Sequence, residues 1–331
     1  MLGNNKNFNH LKIHTQYSIC EGAIKIDDLQ NFSKSNKIKS LGLCDTANLC
    51  GALEFSEKIS KIGTQPIIGT QINFKYGDTI GLLPLFALNS SGYKRIIKLS
   101  SLSFLDNEGI LEPHIKFDDL LLNNDGVGIF SGTVLGLFGK LFDKGKFSEI
   151  HDLYEKLKTS YGDQFYIEIQ RHNDQNEDGF EKFNLKKSLE LEIPIIATHE
   201  VFYLNKDMHE AHDALICIGN KTYVNEKSRF RFSDQHYLKN NSEMTELFAD
   251  LPEALENNYN FPLRCSFRPL YSNPILPNIS SEKGGNADDI LKKDSLNGLR
   301  TKFDKIFGIK TDDLKLNTTF IEYKDRLDHE L

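Results

Sequence analysis

The residues best suited to chemistry in this 331-residue chain begin on one short stretch, His10-Leu11-Lys12-Ile13-His14-Thr15. Its alternation of polar and apolar side chains predicts a strand with His10, Lys12 and His14 on one face. Imidazole is a good zinc ligand, but residues four apart on a strand stand roughly 13 Å from one another, too far to share one ion. Lys12 lies between them, and an ammonium repels a dication. Other constellations are weaker. His209 and His212 are spaced i, i+3 on a predicted helix with no third ligand close in sequence, which favours two helix-surface histidines. The second histidine of Met208-His209-Glu210-Ala211-His212 comes one residue early for the HExxH arrangement. Asp174-Gln175-Asn176-Glu177-Asp178-Gly179 lacks the later bidentate glutamate of a calcium loop and reads as a polar loop. The basic run Lys227-Ser228-Arg229-Phe230-Arg231-Phe232 reads as an edge strand with one solvated face, with phosphate contact as the sharper alternative.

The elements that must position these groups alternate. Strands are predicted over 10–15, 40–44, 66–74, 81–88, 128–131, 164–170 and 193–198, and helices over 26–37, 48–62, 92–102, 146–161, 180–191 and 207–218, with Gly219 placed to end the last. Such alternation predicts mainly parallel strands with helices outside, a distorted (β/α)7 barrel-like α/β domain. Several predicted strands end in polar residues, namely Asp45, Gln71, Thr133, His199 and Glu200. In such folds the C-terminal strand ends carry the site. Composition changes near residue 271. The reading is therefore one domain over 1–270, a Pro-, Gly- and Ser-rich linker over 271–286, and a short helical segment over 287–331. The last helix reaches Leu331 without a cap, and the expectation is a chain that continues.

Composition narrows the function classes. Hydrophobic content of 39% and charged content of 26% are those of a globular protein. No apolar run approaches the roughly 20 residues of a membrane helix, and residues 1–9 lack a secretory signal. The five cysteines are scattered, without a CxxC pair, which argues for reduced thiols and a cytoplasmic location. A net charge of −7 argues against nucleic-acid binding by this chain alone, because phosphate neutralisation needs a basic excess.

Several stretches taken together resemble one family. His10-Leu11-Lys12-Ile13-His14-Thr15-Gln16-Tyr17-Ser18 resembles the first motif of PHP (polymerase and histidinol phosphatase) domains. Cys44-Asp45-Thr46-Ala47-Asn48-Leu49-Cys50-Gly51-Ala52-Leu53-Glu54-Phe55 is similar to the second, in the version found in bacterial DNA polymerase III alpha subunits. Pro66-Ile67-Ile68-Gly69, Phe130-Ser131-Gly132 and Ile196-Ala197-Thr198 follow in the same order. So do Tyr237-Leu238-Lys239, Pro252-Glu253-Ala254-Leu255-Glu256-Asn257 and the tail Tyr323-Lys324-Asp325-Arg326-Leu327-Asp328-His329-Glu330-Leu331. The resemblance implies the N-terminal PHP region of a replicative DNA polymerase, truncated near the start of the palm. The palm's magnesium-binding aspartates would lie beyond Leu331, and no cofactor is expected in this chain. The implied partners are the rest of the polymerase and a proofreading exonuclease subunit. Sliding clamp and DNA would be reached through the full-length protein.

A working PHP site holds up to three metal ions, and its ligand positions can be tested one by one. The first motif's His-x-His is Lys12 and His14. Glu21 stands for an aspartate, Thr46 for a histidine, Gln71 for a glutamate and Thr133 for a cysteine; another histidine position falls near Leu82. Where Asp-x-His is expected, Glu200 and Phe202 occur. Only His14, Glu21 and Glu200 keep ligand chemistry, so an eroded, non-metallated site is expected. Lys12 is expected to pair with Glu21 or Glu200. The expected role is structural, with exonuclease docking and without polymerase catalysis. The alternatives are a residual metal-dependent phosphoesterase or 3′–5′ exonuclease on the three retained groups, and a freestanding interaction module.

Overall fold

Short apolar runs bounded by turns form the strands, and the amphipathic stretches between them form helices. The computed structural model describes residues 7–105, 112–275, 286–308 and 317–331. Its elements run β1 (Lys12–Ile13), α1 (Ile26–Asn36), β2 (Ser40–Thr46), α2 (Ala52–Ser60), β3 (Gln65–Tyr76), β4 (Thr79–Ala87), α3 (Ser90–Leu105), β5 (Ile115–Lys116) and α4 (Phe117–Leu120). After them come β6 (Val127–Phe130), α5 (Leu137–Asp143), α6 (Phe147–Tyr161), β7 (Phe165–Ile169), α7 (Glu177–Leu191), β8 (Ile195–Ala197), β9 (Glu200–Val201), α8 (His209–Asn220), α9 (Asn241–Leu247) and α10 (Pro252–Asn260). All of these belong to a compact unit, Met1–Tyr271. A second unit, Ser272–Leu331, holds α11 (Ala287–Phe307) and α12 (Thr318–Glu330). Its small core is Phe303 packed edge-on against Phe320 at 5.2 Å. Most of the segment predicted as a linker lies outside the described residues.

The main sheet has the order β2-β3-β4-β6-β7-β8, with β5 on β3, and β1 pairs with β9 in parallel. The expected parallel arrangement holds for β2–β3, β6–β7 and β7–β8. It fails at β3–β4, which is antiparallel, as is β4–β6. The reason is local: only Gly77 and Asp78 connect β3 to β4, and a two-residue connection joins antiparallel neighbours, never a parallel crossover.

Alternation along each strand builds the interior. Leu11, Cys44, Ile67, Phe86, Phe130, Tyr166 and Ile196 are buried together in one cluster that Phe261 joins. Two or four residues from these, on the same strand faces, come Thr46, Gln71, Leu82, Gly132, Glu168 and Glu200. The apolar layer is thus the floor of the site, and the next rung of each strand is its wall.

β1 meets β2 closely. Gly42 N–H donates to the His10 carbonyl at 2.7 Å, and a Cβ on Gly42 would stand 2.3 Å from the Leu11 carbonyl oxygen. Gly219 has a similar use and not the predicted one. α8 runs through it to Asn220, and Lys221 takes the left-handed cap at φ 54°. A Cβ on Gly219 would lie 2.8 Å from Cys20 Cβ. Gly42→Ala should therefore cost about 2 kcal/mol or more through overpacking against main chain, read by urea denaturation. Gly298→Ala, in open helical space, should be neutral or stabilising by up to about 1 kcal/mol; equal effects at the two positions would contradict the close approach.

Candidate functional site

Of the strand-end positions singled out in the sequence, Gln71, Thr133 and Glu200 meet in one cavity, while Asp45 accepts hydrogen bonds from Thr15 and Ser18 and His199 points to the Tyr237 carbonyl. Glu21, Gln71, Leu82, Thr133, Glu200 and Phe202 line a single cavity of about 250 Å3. Thr46 joins them through hydrogen bonds, its hydroxyl donating to Glu21 Oε2 at 2.6 Å and accepting from Gln71 Nε2 at 3.1 Å. Thr133 Oγ1 accepts from the Leu135 N–H at 3.1 Å. His14 stands behind this wall. Its Nε2 is 3.1 Å from Glu200 Oε1, and its ring stacks on Phe202 at 4.5 Å.

Lys12 is fully buried. Its Nζ lies 3.2 Å from Glu200 Oε1 and 3.5 Å from Glu168 Oε1. These are ion-pair contacts and not well-aligned hydrogen bonds. Of the two carboxylates expected to receive Lys12, Glu200 does and Glu21 does not, because Glu21 is engaged with Thr46. Glu168 was not foreseen; it lies two residues after the interior Tyr166, on the same face of β7. Burial works against the charge on all three groups. The two carboxylates outweigh it at Lys12 and hold its pKa above the ordinary value. Burial would raise Glu200, but Lys12 and His14 hold it well below the carboxylate range. Burial does prevail at Glu168, whose pKa is raised despite Lys12 and the Thr198 hydroxyl.

Next to this group runs a column of four buried histidines. His236 stacks on His172 with centroids 4.1 Å apart and planes 2° apart. His172 stacks on His199 at 4.5 Å, and His199 meets His10 edge-on at 5.9 Å. Each ring is fixed by backbone: His10 to the Lys239 carbonyl, His199 to the Tyr237 carbonyl, His236 to the Glu200 carbonyl and His172 to the Glu200 N–H. Burial lowers His10 to about 4 and holds His172 and His199 well below the usual imidazole value.

Donor atoms of His172, Asp174 and His236 come within 4.8 Å of one another, the one such group of three metal-ligand side chains among the described residues. Ring lone pairs lie in the ring planes, so two parallel stacked imidazoles cannot direct both at a single ion. The 3.1 Å contact from His236 Nε2 to Asp174 and the 3.2 Å contact from His172 Nδ1 to Glu177 occupy the same atoms. Burial pushes Glu177 up to about 7. The segment read as a polar loop thus supplies carboxylates to buried histidines. His172 and His236 are 64 positions apart, and no spacing in the sequence pairs them.

Two further readings are corrected. His212 is buried, its Nε2 on the Glu21 carbonyl at 2.8 Å, and His209 reaches the Phe232 carbonyl at 3.1 Å. Neither is a free surface histidine, because backbone carbonyls from neighbouring segments receive both. Residues 227–232 are not a strand. Arg229 turns its guanidinium onto both oxygens of Asp213, and Arg231 pairs with Glu210. Two ion pairs to α8 replace the ladder that an edge strand would need.

Residues 10–172 match the family described as PHP domain. The DNA polymerase III subunit alpha of Rickettsia conorii is 36% identical over 332 residues, covering 98% of this chain and 28% of that protein. The same subunit of Caulobacter vibrioides is 33% identical over 332 residues, with the same two shares. The chain therefore spans little more than a quarter of the length of these relatives. Among solved structures, an amidohydrolase from Chromobacterium violaceum matches with a TM-score of 0.41 at 9% identity, over 59% of this chain and 87% of that one. That likeness is too loose to carry an argument.

Lys12→Met should destabilise the protein by about 3–5 kcal/mol, since it strands two buried carboxylates without their cation. A loss in urea denaturation below about 1 kcal/mol would mean that Lys12 is not their counter-charge. Acid should also unfold the protein early. His10, His172, His199 and His212 are held down in the folded state, so the unfolded chain binds their protons first. Their contribution is complete above the ordinary value of 6.5 and is lost as pH falls toward about 4. Glu177, raised to about 7, and Glu168 and Asp45, also raised by burial, act in the opposite sense, while Glu200, held well below its ordinary value, acts with the four histidines. Unfolding free energies measured between pH 7.5 and 4.5 should fall steadily, and a flat profile would exclude buried neutral histidines.

Proposed function

This chain belongs to the PHP region of bacterial DNA polymerase III alpha subunits, and from that premise we propose that it is a brace in a replicative polymerase and not a hydrolase. The observation that carries this reading is Lys12, an ammonium fully buried 3.2 Å and 3.5 Å from two carboxylates. Where a PHP site would place ions, the donors here do not fit them. Thr46, Gln71 and Thr133 are neutral, Phe202 has no lone pair to give, and Glu200 is already paired with Lys12 and in contact with His14 Nε2. Among the described residues, His14, Glu21 and Glu200 do not make a convergent group of metal-ligand atoms. A lysine charge cannot polarise a phosphoester or generate hydroxide as a dication does. No hydrolytic step is derived for this cavity.

In this reading the metal site is eroded and the barrel is kept for its shape. It supports the rest of the polymerase and offers a docking face to a proofreading exonuclease subunit. Nucleotidyl transfer with magnesium, and contact with sliding clamp and DNA, would belong to the full-length protein. The chain holds no Asp-x-Asp-x-Asp-Phe stretch and carries net charge −7, which supports placing catalysis and DNA binding elsewhere. Among the described residues no helix is long and apolar enough to cross a membrane.

Elemental analysis of the purified chain should find zinc, iron and manganese below stoichiometry, and EDTA should leave its melting temperature unchanged. Two or more tightly held ions per chain would overturn the reading. The exonuclease subunit of the same source should co-elute with the chain in the presence of EDTA; failure to form that complex would remove the docking role.

A further inference from the structure

The cavity at the strand ends has a lining that specifies a ligand. About 250 Å3 is small beside most ligand pockets, so a compact group fits it and an oligonucleotide does not. Its polar side includes acceptors that remain free, beside the Thr133 hydroxyl. Glu21 spends one carboxylate oxygen on Thr46 Oγ1, which leaves the other for a donor. Gln71, only 4% exposed, gives its amide N–H to the same hydroxyl, which leaves its carbonyl. Glu200 is also on this wall. The apolar side is aromatic. Phe202 and Phe232 pack together at 4.7 Å, Phe230 meets Phe232 edge-on at 4.7 Å, and Phe230 is 47% exposed. The basic group on the lining is Lys140, whose Nζ donates to the Ile80 carbonyl at 2.9 Å.

We propose that this cavity binds a guanidinium group on a short apolar stem, through the Glu21 carboxylate and the Phe230–Phe232 aromatic wall. The inference rests on the reading above, in that the cavity works without dications. The sign of the preferred ligand follows from that. A dication at this position would draw phosphate, whereas the Glu21 carboxylate repels it. Guanidinium is favoured over ammonium because its planar faces stack on aromatic rings while an edge N–H reaches the free Glu21 oxygen. It is also the more weakly hydrated cation, which lowers the cost of entering a half-apolar cavity. Two sources carry this chemistry, a free small molecule and an arginine side chain at the tip of a peptide loop.

The test is calorimetric titration of this chain with three probes: agmatine, a blocked Gly-Arg-Gly tripeptide and inorganic phosphate. Saturable binding of agmatine or the tripeptide, without binding of phosphate, is the expected result. The stronger of the two distinguishes a free ligand from a peptide source. Glu21→Gln should weaken binding at least tenfold. Phe230→Ala, at a half-exposed position, should weaken it severalfold. Phosphate binding in place of agmatine and tripeptide, or full affinity in Glu21→Gln with its circular dichroism unchanged, would overturn the proposal. Metal content measured on the same sample separates the two readings. A metal-loaded cavity defeats both, whereas a metal-free cavity that ignores guanidinium defeats only this one.

Discussion

The ion group of Lys12, Glu200 and Glu168 is the constraint on which the rest of the first unit turns. Three strands of different origin, β1, β7 and β9, each send one charged side chain into the same dry space. None of the three is tolerable there alone, since an isolated buried charge costs several kcal/mol after relaxation. Their mutual dependence therefore fixes how the strands register. β1 pairs with β9 so that Lys12 lies directly beside Glu200. β7 pairs with β8 so that Glu168 lies beside Ile196, one rung below Thr198. Hydrophobic burial alone would tolerate sliding by two residues, because alternate apolar residues are interchangeable; the charges are not.

This arrangement explains how chemistry can change while a fold persists. A cavity lined by carboxylates needs a cation to be stable, and a metal ion or a lysine can serve. Lysine carries one charge on a flexible stem, so fewer anions can be balanced. The neutral residues at Thr46, Gln71 and Thr133 are consistent with that arithmetic, because each lowers the negative charge left on the wall. The hydrogen bonds among Glu21, Thr46 and Gln71 show the remaining polar groups pairing with one another. The apolar floor beneath takes no part in these hydrogen bonds, so strand order and chain path do not depend on which polar groups stand above it.

How much of this was legible in the sequence depends on the range of the interaction. The strands β2, β3, β4, β6, β7 and β8 follow from short apolar runs, whereas the two-residue β5 has no such run. Gln71, Thr133 and Glu200 are found from their place at strand ends, and Glu21 and Phe202 from the resemblance. The antiparallel β3–β4 hairpin departs from the mainly parallel pattern that the alternation predicts, because a two-residue turn joins its strands. Gly219 was read as a stop signal when its use is contact with Cys20, a neighbour about 200 positions away. His10 and His199 stand out in the sequence, one on a strand face and one at a strand end, but nothing local pairs them with His172 and His236. The column is brought together by tertiary packing. Charged side chains misled for a related reason. Arg229 and Arg231 alternate with phenylalanines as a strand would, yet their ion pairs with α8 decide the backbone path.

The position of the column also bears on where the PHP region ends. The family match stops at residue 172, before Glu200, Phe202 and His236. Without β9 there is no partner for β1, and without the segment 236–239 there is nothing to receive the rings of His10 and His199. The backbone bridges from Phe202 to His236 and from Leu238 to Tyr203 tie that segment to β9. Asn258 then closes the circuit by joining Asn9 and the Ala197 carbonyl. The functional end of the barrel is therefore completed by residues 200–258, and the structural unit that could brace a polymerase is the whole of Met1–Tyr271. A chain cut at the end of the family match would expose Lys12 and leave its charge without Glu200. The extent of the unit is set by that buried charge as much as by the hydrophobic core.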